Sequence, residues 1–163
     1  MQRSAYEHGH KPKFLVIVDG SPESDRAIRF AARRAVRTAS DLCMLSVITQ
    51  PDDFEWIGVG EAIKAEAEAQ AESFLETASQ IAKDLIGIEA ETLIRHGNAS
   101  QEITKLIHED SDISYLVLAA STNKDGPGPL VSSIAAKLAA TFPIPIIIVP
   151  GALTDDEINA LAG

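Results

Sequence analysis

Residues 13–24 read KFLVIVDGSPES, and the apolar run Phe14, Leu15, Val16, Ile17 and Val18 decides what kind of fold this is. A run rich in β-branched side chains with no polar face suits a strand covered on both sides, as in a parallel sheet packed between helices. It stops at Asp19-Gly20-Ser21-Pro22. The hydroxyl of Ser21 is placed to cap a following helix, and Pro22 fits a first helical position because the N–H it lacks would be unpaired anyway. A buried strand thus delivers the Asp19 carboxylate to the carboxyl edge of the sheet, where ligands bind in open α/β folds. Asp19 is either a ligand contact or a brace for its own turn, and pattern alone leaves both open.

Outward from this strand, helix and strand alternate. Ala27, Ile28, Ala31, Ala32, Ala35 and Val36 recur at helical spacing, with Arg26, Arg29, Arg33, Arg34 and Arg37 on the other faces as a solvated surface. Residues 42–48 form a second apolar strand. Residues 49–60 form a long loop carrying Phe54 and Trp56, which pin the loop to the body or cover a ligand. A long helix spans 61–85, with Ala71, Phe74, Leu75, Ala78, Ile81, Ala82 and Leu85 as its apolar stripe. Residues 88–94 read as a third strand. Asn98 and Ser100 open a helix that turns Ala99, Ile103, Leu106 and Ile107 inward, and 115–120 is the fourth strand. A loop over 121–129 leads to a helix with Val131, Ile134, Ala135 and Leu138, and Pro143-Ile144-Pro145 opens a fifth strand over 146–149.

The expected fold is therefore α/β, a doubly wound five-stranded parallel sheet with helices on both faces. Placing the two most apolar strands, the first and fourth, side by side at the centre gives the order 3-2-1-4-5, with right-handed crossovers. The switch point then falls between those strands, where the turn at 19–22 meets the loop at 121–129. Residues 13–150 form one domain and 1–12 are expected to be flexible. Residues 151–163 form a tail whose Thr154 and Glu157 make a capping box for a short helix bearing Ile158 and Leu161.

Charge narrows the partners. The chain has 163 residues, with 14 Lys and Arg against 24 Asp and Glu, a net charge of −10. That balance argues against a nucleic-acid backbone and against an anionic membrane surface as partners. Cys43 is the one cysteine, so neither a disulfide framework nor a cysteine metal site is available. No segment reads as a signal peptide or membrane span, and the expected location is the cytoplasm. His8, His10, His96 and His108 are scattered, and no metal site is expected from them.

Several chemistries fail on the residues they need. There is no Walker loop, no G-x-G-x-x-G after the first strand and no G-x-S-x-G elbow. A phosphoacceptor receiver would want Asp after the third strand and Lys after the fifth, where this chain has Arg95-His96 and Pro150-Gly151. The adenylating pyrophosphatases use a double-glycine loop that Asp19-Gly20-Ser21-Pro22-Glu23-Ser24 lacks. No nucleophile, base and orienting group assemble, so no catalytic residue is assigned.

Three features together resemble the universal stress protein family: Val18-Asp19-Gly20-Ser21, Gly97 before the third helix, and a loop leading to Ser133 ahead of Phe142-Pro143-Ile144-Pro145-Ile146-Ile147-Ile148-Val149. The likeness runs over residues 13–149. It implies a small domain of the adenine nucleotide alpha hydrolase-like type, usually dimeric through its last strand, in which some members bind ATP or AMP and others bind none. Nucleotide-binding members carry Gly, two residues, Gly, nine residues, then Gly followed by Ser or Thr. The corresponding places here are Ala119, Thr122, Ser132 and Ser133, so the spacing and the last hydroxyl are kept and the glycines are gone.

Glycine allows backbone N–H groups to approach phosphate closely, and a Cβ obstructs this. Gly126 and Gly128 lie in the loop, but Pro127 and Pro129 lack N–H donors. The adenosine end is better kept: in binding members the positions of Asp19 and of the backbone near Val47 hold ribose and adenine, beside Gly20 and Ser21. The resemblance thus implies a dimeric binding and regulatory module of the stress response. Its crevice either holds AMP, ADP or ATP weakly, the shorter phosphates ahead of ATP, or holds water. An ATP- or AMP-binding hydrolase, or an adenylate-using enzyme, is the alternative. The regulatory protein partner is not named by the sequence. A homodimer through 146–149 would cover an apolar edge that monomers avoid; a tail folded over that edge is the other way to cover it.

Overall fold

The computed structural model describes residues 2–49 and 60–163; Phe54 and Trp56 lie outside them. Five parallel strands pair in the order β3-β2-β1-β4-β5, as the hydrophobic pattern predicts. They are β1 (Lys13–Ile17), β2 (Asp41–Ile48), β3 (Glu91–His96), β4 (Ile113–Ala120) and β5 (Ile146–Pro150). The helices are α1 (Ser24–Arg37), α2 (Gly60–Ile86), α3 (Ala99–Glu109), a π-helix (Val131–Leu138) and α4 (Asp155–Leu161).

Period-two alternation along the buried strands divides the interior into two layers. Phe14, Val16, Leu42 and Met44 face α1 and α2, where Ala27, Ala31 and Ala35 let α1 lie close to the sheet. Leu15, Ile17, Cys43 and Leu45 face α3 and the π-helix, against Ile103, Ile107 and Ile134. Burial pushes the Cys43 thiol up to about 12, so it stays protonated and inert at neutral pH. Lys13 ties the start of β1 to β3 and to the end of α3, reaching Glu91 at 3.0 Å and Asp110 at 2.6 Å.

β3 departs from expectation. It occupies Glu91–His96 rather than 88–94, because its register is set by pairing from Cys43↔Glu91 to Ile48↔His96. Ile88 and Ala90 instead pack into the α1–α2 layer from the connection.

The segment before β1 also corrects the sequence reading. Residues 2–12, expected to be flexible, are held against the amino edge of the sheet. The Arg3 guanidinium donates to the carbonyls of Ile107 and Asp110, each at 2.7 Å, and to that of Ile113. Ser4 N bonds to Ser111 O at 3.0 Å, Ala5 is buried, and His10 Nδ1 lies 2.9 Å from Asp112 Oδ1. The physical reason is the end of α3. Its last carbonyls lack intrahelical partners, and a cation there satisfies them and complements the helix dipole.

The tail forms the expected capping box, with Glu157 N donating to Thr154 Oγ1 at 3.2 Å and Thr154 N to Glu157 Oε2 at 3.0 Å. It does not run along the outer edge of β5, the alternative the sequence left open. α4 sits on α1 instead: Ile158 is fully buried, Arg26 donates to Leu153 O at 3.0 Å, and Arg26 pairs with Asp155 at 2.7 Å. The Arg26 hydrogen bond, then its charge and that of Arg29, hold the Asp155 carboxyl below its usual range.

Replacing Arg3 by Ala takes a charged donor from three carbonyls, of which Asp110 O still accepts Ile113 N at 3.2 Å. A loss of about 1–3 kcal/mol is expected from hydrogen bonds to a charged group. Urea unfolding of the full chain measures it, and an unchanged midpoint would show that the segment contributes nothing.

Candidate functional site

The site begins where β1 ends. Val18 N still donates to Leu45 O at 2.8 Å, but the chain then leaves the sheet at Asp19. One carboxylate oxygen, Asp19 Oδ1, accepts Ser21 N at 3.0 Å and Ser21 Oγ at 2.6 Å. This corrects the assignment of Ser21 as a helix cap. Its hydroxyl is spent on Asp19, and α1 starts at Ser24 after Glu23, whose side chain makes no cap bond. A carboxylate two residues back is a stronger acceptor than a hydroxyl is a cap, so the local turn wins. Asp19 therefore does brace its turn. Among the described residues its Oδ2 receives no hydrogen bond, and that oxygen's lone pairs remain available.

Gly20 shapes the other side of the turn. It has φ +76°, and a Cβ on it would lie 2.4 Å from the ring of Phe74. Phe74, on α2, packs against this bare backbone and forms a wall.

On one side of that wall lies a cavity of about 380 Å³, lined by Ile17, Asp19, Ser46, Val47, Ile48, Thr49, Ala67, Gln70, Ala71, Phe74, Ala99, Pro129 and Leu130. Its size falls at the lower end of small-molecule sites. Backbone alternation explains why Val47 matters. Leu45 O is taken from the β1 side and Ile48 O by Gly97 N at 3.0 Å from the β3 side. The N–H and C=O of Val47 therefore turn toward β1, beyond the last pair, Ile17↔Leu45. They face the crevice.

A second, smaller cleft of about 50 Å³ opens on the β4 side, lined by Ile17, Asp19, Glu23, Ser24, Leu118, Ala119, Pro127, Gly128, Pro129, Leu130 and Val131. Asp19 belongs to both spaces. Gly20 and Ser21 line a separate groove of about 230 Å³ between α1 and α2, on the far side of Phe74.

The sequence-derived residues thus divide. Asp19 and Val47 meet at the larger cavity, and Ala119 reaches only the smaller cleft. Thr122, Ser132 and Ser133 line neither. The loop folds on itself, with Ser121 N bonded to Pro127 O at 3.0 Å and Ser132 N to Gly128 O at 3.1 Å, and Ser133 Oγ lies 3.5 Å from Leu130 O. Several of its donors are thus used internally.

Missed by sequence reading were Ala67, Gln70, Phe74, Ala99, Pro129 and Leu130. Ala71 and Phe74 were visible only as part of an amphipathic stripe; the polar Gln70 just ahead of them also lines the cavity.

Substituting Gly20 by Ala forces a left-handed backbone on a side-chain residue and drives the Phe74 ring toward the cavity. A cost of about 1–3 kcal/mol is expected, read by denaturant unfolding. Adding Phe74→Leu should return the steric part and leave the backbone part. Equal stability of all three proteins would refute this account of the turn.

Comparison with known proteins gives one consistent answer. The model of the universal stress protein family matches residues 12–150. No curated protein matches. Among solved structures, a universal stress protein UspA from Lactobacillus plantarum has a TM-score of 0.70 at 19% identity, covering 85% of this chain and 97% of that one. The universal stress protein of Archaeoglobus fulgidus in complex with dAMP has a TM-score of 0.59 at 21% identity, covering 85% and 96%. A family protein from Arabidopsis thaliana with AMP bound has a TM-score of 0.57 at 15% identity, covering 85% and 91%. With a family model spanning nearly the whole described sheet, and the strand order that the pattern of its own residues requires, this chain belongs to the universal stress protein family.

Proposed function

We propose that the protein is a dimeric binding and regulatory module of the stress response, working in the cytoplasm without catalysing a reaction. In this proposal its larger cavity holds the adenosine part of an adenine nucleotide. The observation that carries this is the meeting of two kinds of group at a space of about 380 Å³. One is a carboxylate with an oxygen to spare, Asp19; the other is a backbone donor and acceptor at Val47. A ribose diol offers two O–H donors to a carboxylate, and an adenine edge offers a donor and an acceptor to a backbone pair. Phe74, Ile17 and Leu130 supply apolar surface for the base. The relatives solved with dAMP and AMP support the same class of ligand.

A hydrolase reading has less behind it. Among the described residues no cluster of three or more His, Cys, Asp or Glu could hold a metal, and Asp19 is engaged by Ser21 rather than by a base. The lone, buried Cys43 suits a reducing compartment.

The dimer is proposed through β5. Among the described residues this strand pairs only with β4, and Ile148 is 40% exposed on it. Antiparallel pairing about a two-fold axis would cover that edge. The protein partner to which such a dimer would transmit its state is unidentified.

Isothermal calorimetry of the full chain with adenosine, AMP, ADP and ATP tests the ligand. Binding of at least one is expected, and Asp19→Ala should weaken it about tenfold, the value of one net charge-assisted hydrogen bond. Silence with all four removes the ligand proposal. For the assembly, sedimentation should find a dimer that Ile148→Lys converts to monomer; a wild-type monomer rejects it.

A further inference from the structure

We infer that this site selects against phosphate: its preferred occupant is an adenosine-class molecule uncharged at its 5′ end, and Glu23 is the residue that sets the preference. This rests on the adenosine reading of the larger cavity. With the base at Val47–Thr49 and the ribose at Asp19, the 5′ substituent points past Asp19 into the small cleft, since Asp19, with Ile17, Pro129 and Leu130, lines both spaces and is the polar side chain among them.

The side-chain charges on that cleft are wrong for an anion. Its charged lining residues are Asp19 and Glu23, and among the described residues neither has a cation within ion-pair distance. Pro127 and Pro129 take two backbone donors out of the facing loop. About 50 Å³ is room for one or two waters at about 30 Å³ each.

Two features oppose this, the N-termini of α1 and of the π-helix, the latter reaching the cleft through Leu130 and Val131, each with roughly half a positive charge. Glu23 answers the first from the position just before α1, with a whole negative charge. The first local donors are also engaged, Ser24 N by Ser21 O at 3.1 Å and Arg26 N by Glu23 O at 3.0 Å. A phosphate would therefore meet two like charges and little that could offset them. Adding phosphates makes this worse, so affinity should fall from adenosine to AMP to ADP.

The test is calorimetry of the full-length protein with adenosine, AMP and ADP, at about 20 mM and about 300 mM salt, for wild type, Glu23→Gln and Glu23→Lys. Thermal melting checks that each variant is folded. Wild type should bind adenosine at least tenfold more tightly than AMP, with the gap narrowing at high salt as like-charge repulsion is screened. Glu23→Gln should shrink the gap threefold or more and Glu23→Lys should close or reverse it.

AMP binding as tightly as adenosine to wild type, or a gap that both variants leave intact, overturns the inference and leaves the adenosine site standing. No binding of any of the three overturns both.

Discussion

The constraint on which the rest depends is that β1 has no exposed face. Both sides of its backbone are covered, by α1 and α2 on one side and by α3 and the π-helix on the other. A strand in that position cannot end sideways; it can only release the chain at the carboxyl edge. There Asp19 and Gly20 must reverse direction within the space left by Phe74. The turn, the wall formed by the aromatic ring, and the two spaces flanking Asp19 are consequences of that one exit.

The same logic explains how much of the fold could be read from residues alone. Strand order was legible because burial on both faces leaves an unmistakable trace, an uninterrupted apolar run, at 14–18 and again around 115–120. β3 left a fainter one. As an edge strand it needs only one covered side, so its limits follow from hydrogen bonds to β2, which no periodicity records. The strand was foreseeable; its register was not.

The site was legible in part for a similar reason. Asp19 and Val47 stand at fixed distances from the ends of strands, so locating the strands located them. Phe74 and Gln70 come from a helix whose rotation about its own axis decides what they touch, and a stripe of alanines with one aromatic reads as core whether or not a cavity lies beside it. Ser21 shows a further limit: two local rules, a helix cap and an acidic turn, competed for one hydroxyl, and the carboxylate won. Arg3 shows the last. Its acceptors lie 104 to 110 positions along the chain, beyond the reach of any local pattern.

That clamp at Arg3 has a counterpart in α4. Segment 2–12 is fastened to the layer containing α3, and segment 151–163 to the opposite layer through α1. Peeling usually starts where outlying stretches are loose, and here each is strapped across a different flank of the sheet. Opening from either extremity must first break buried or charge-assisted contacts, so fraying is coupled to loss of a whole layer. The molecule should therefore lose its structure in one cooperative step, with few partly undone forms exposing the apolar interior.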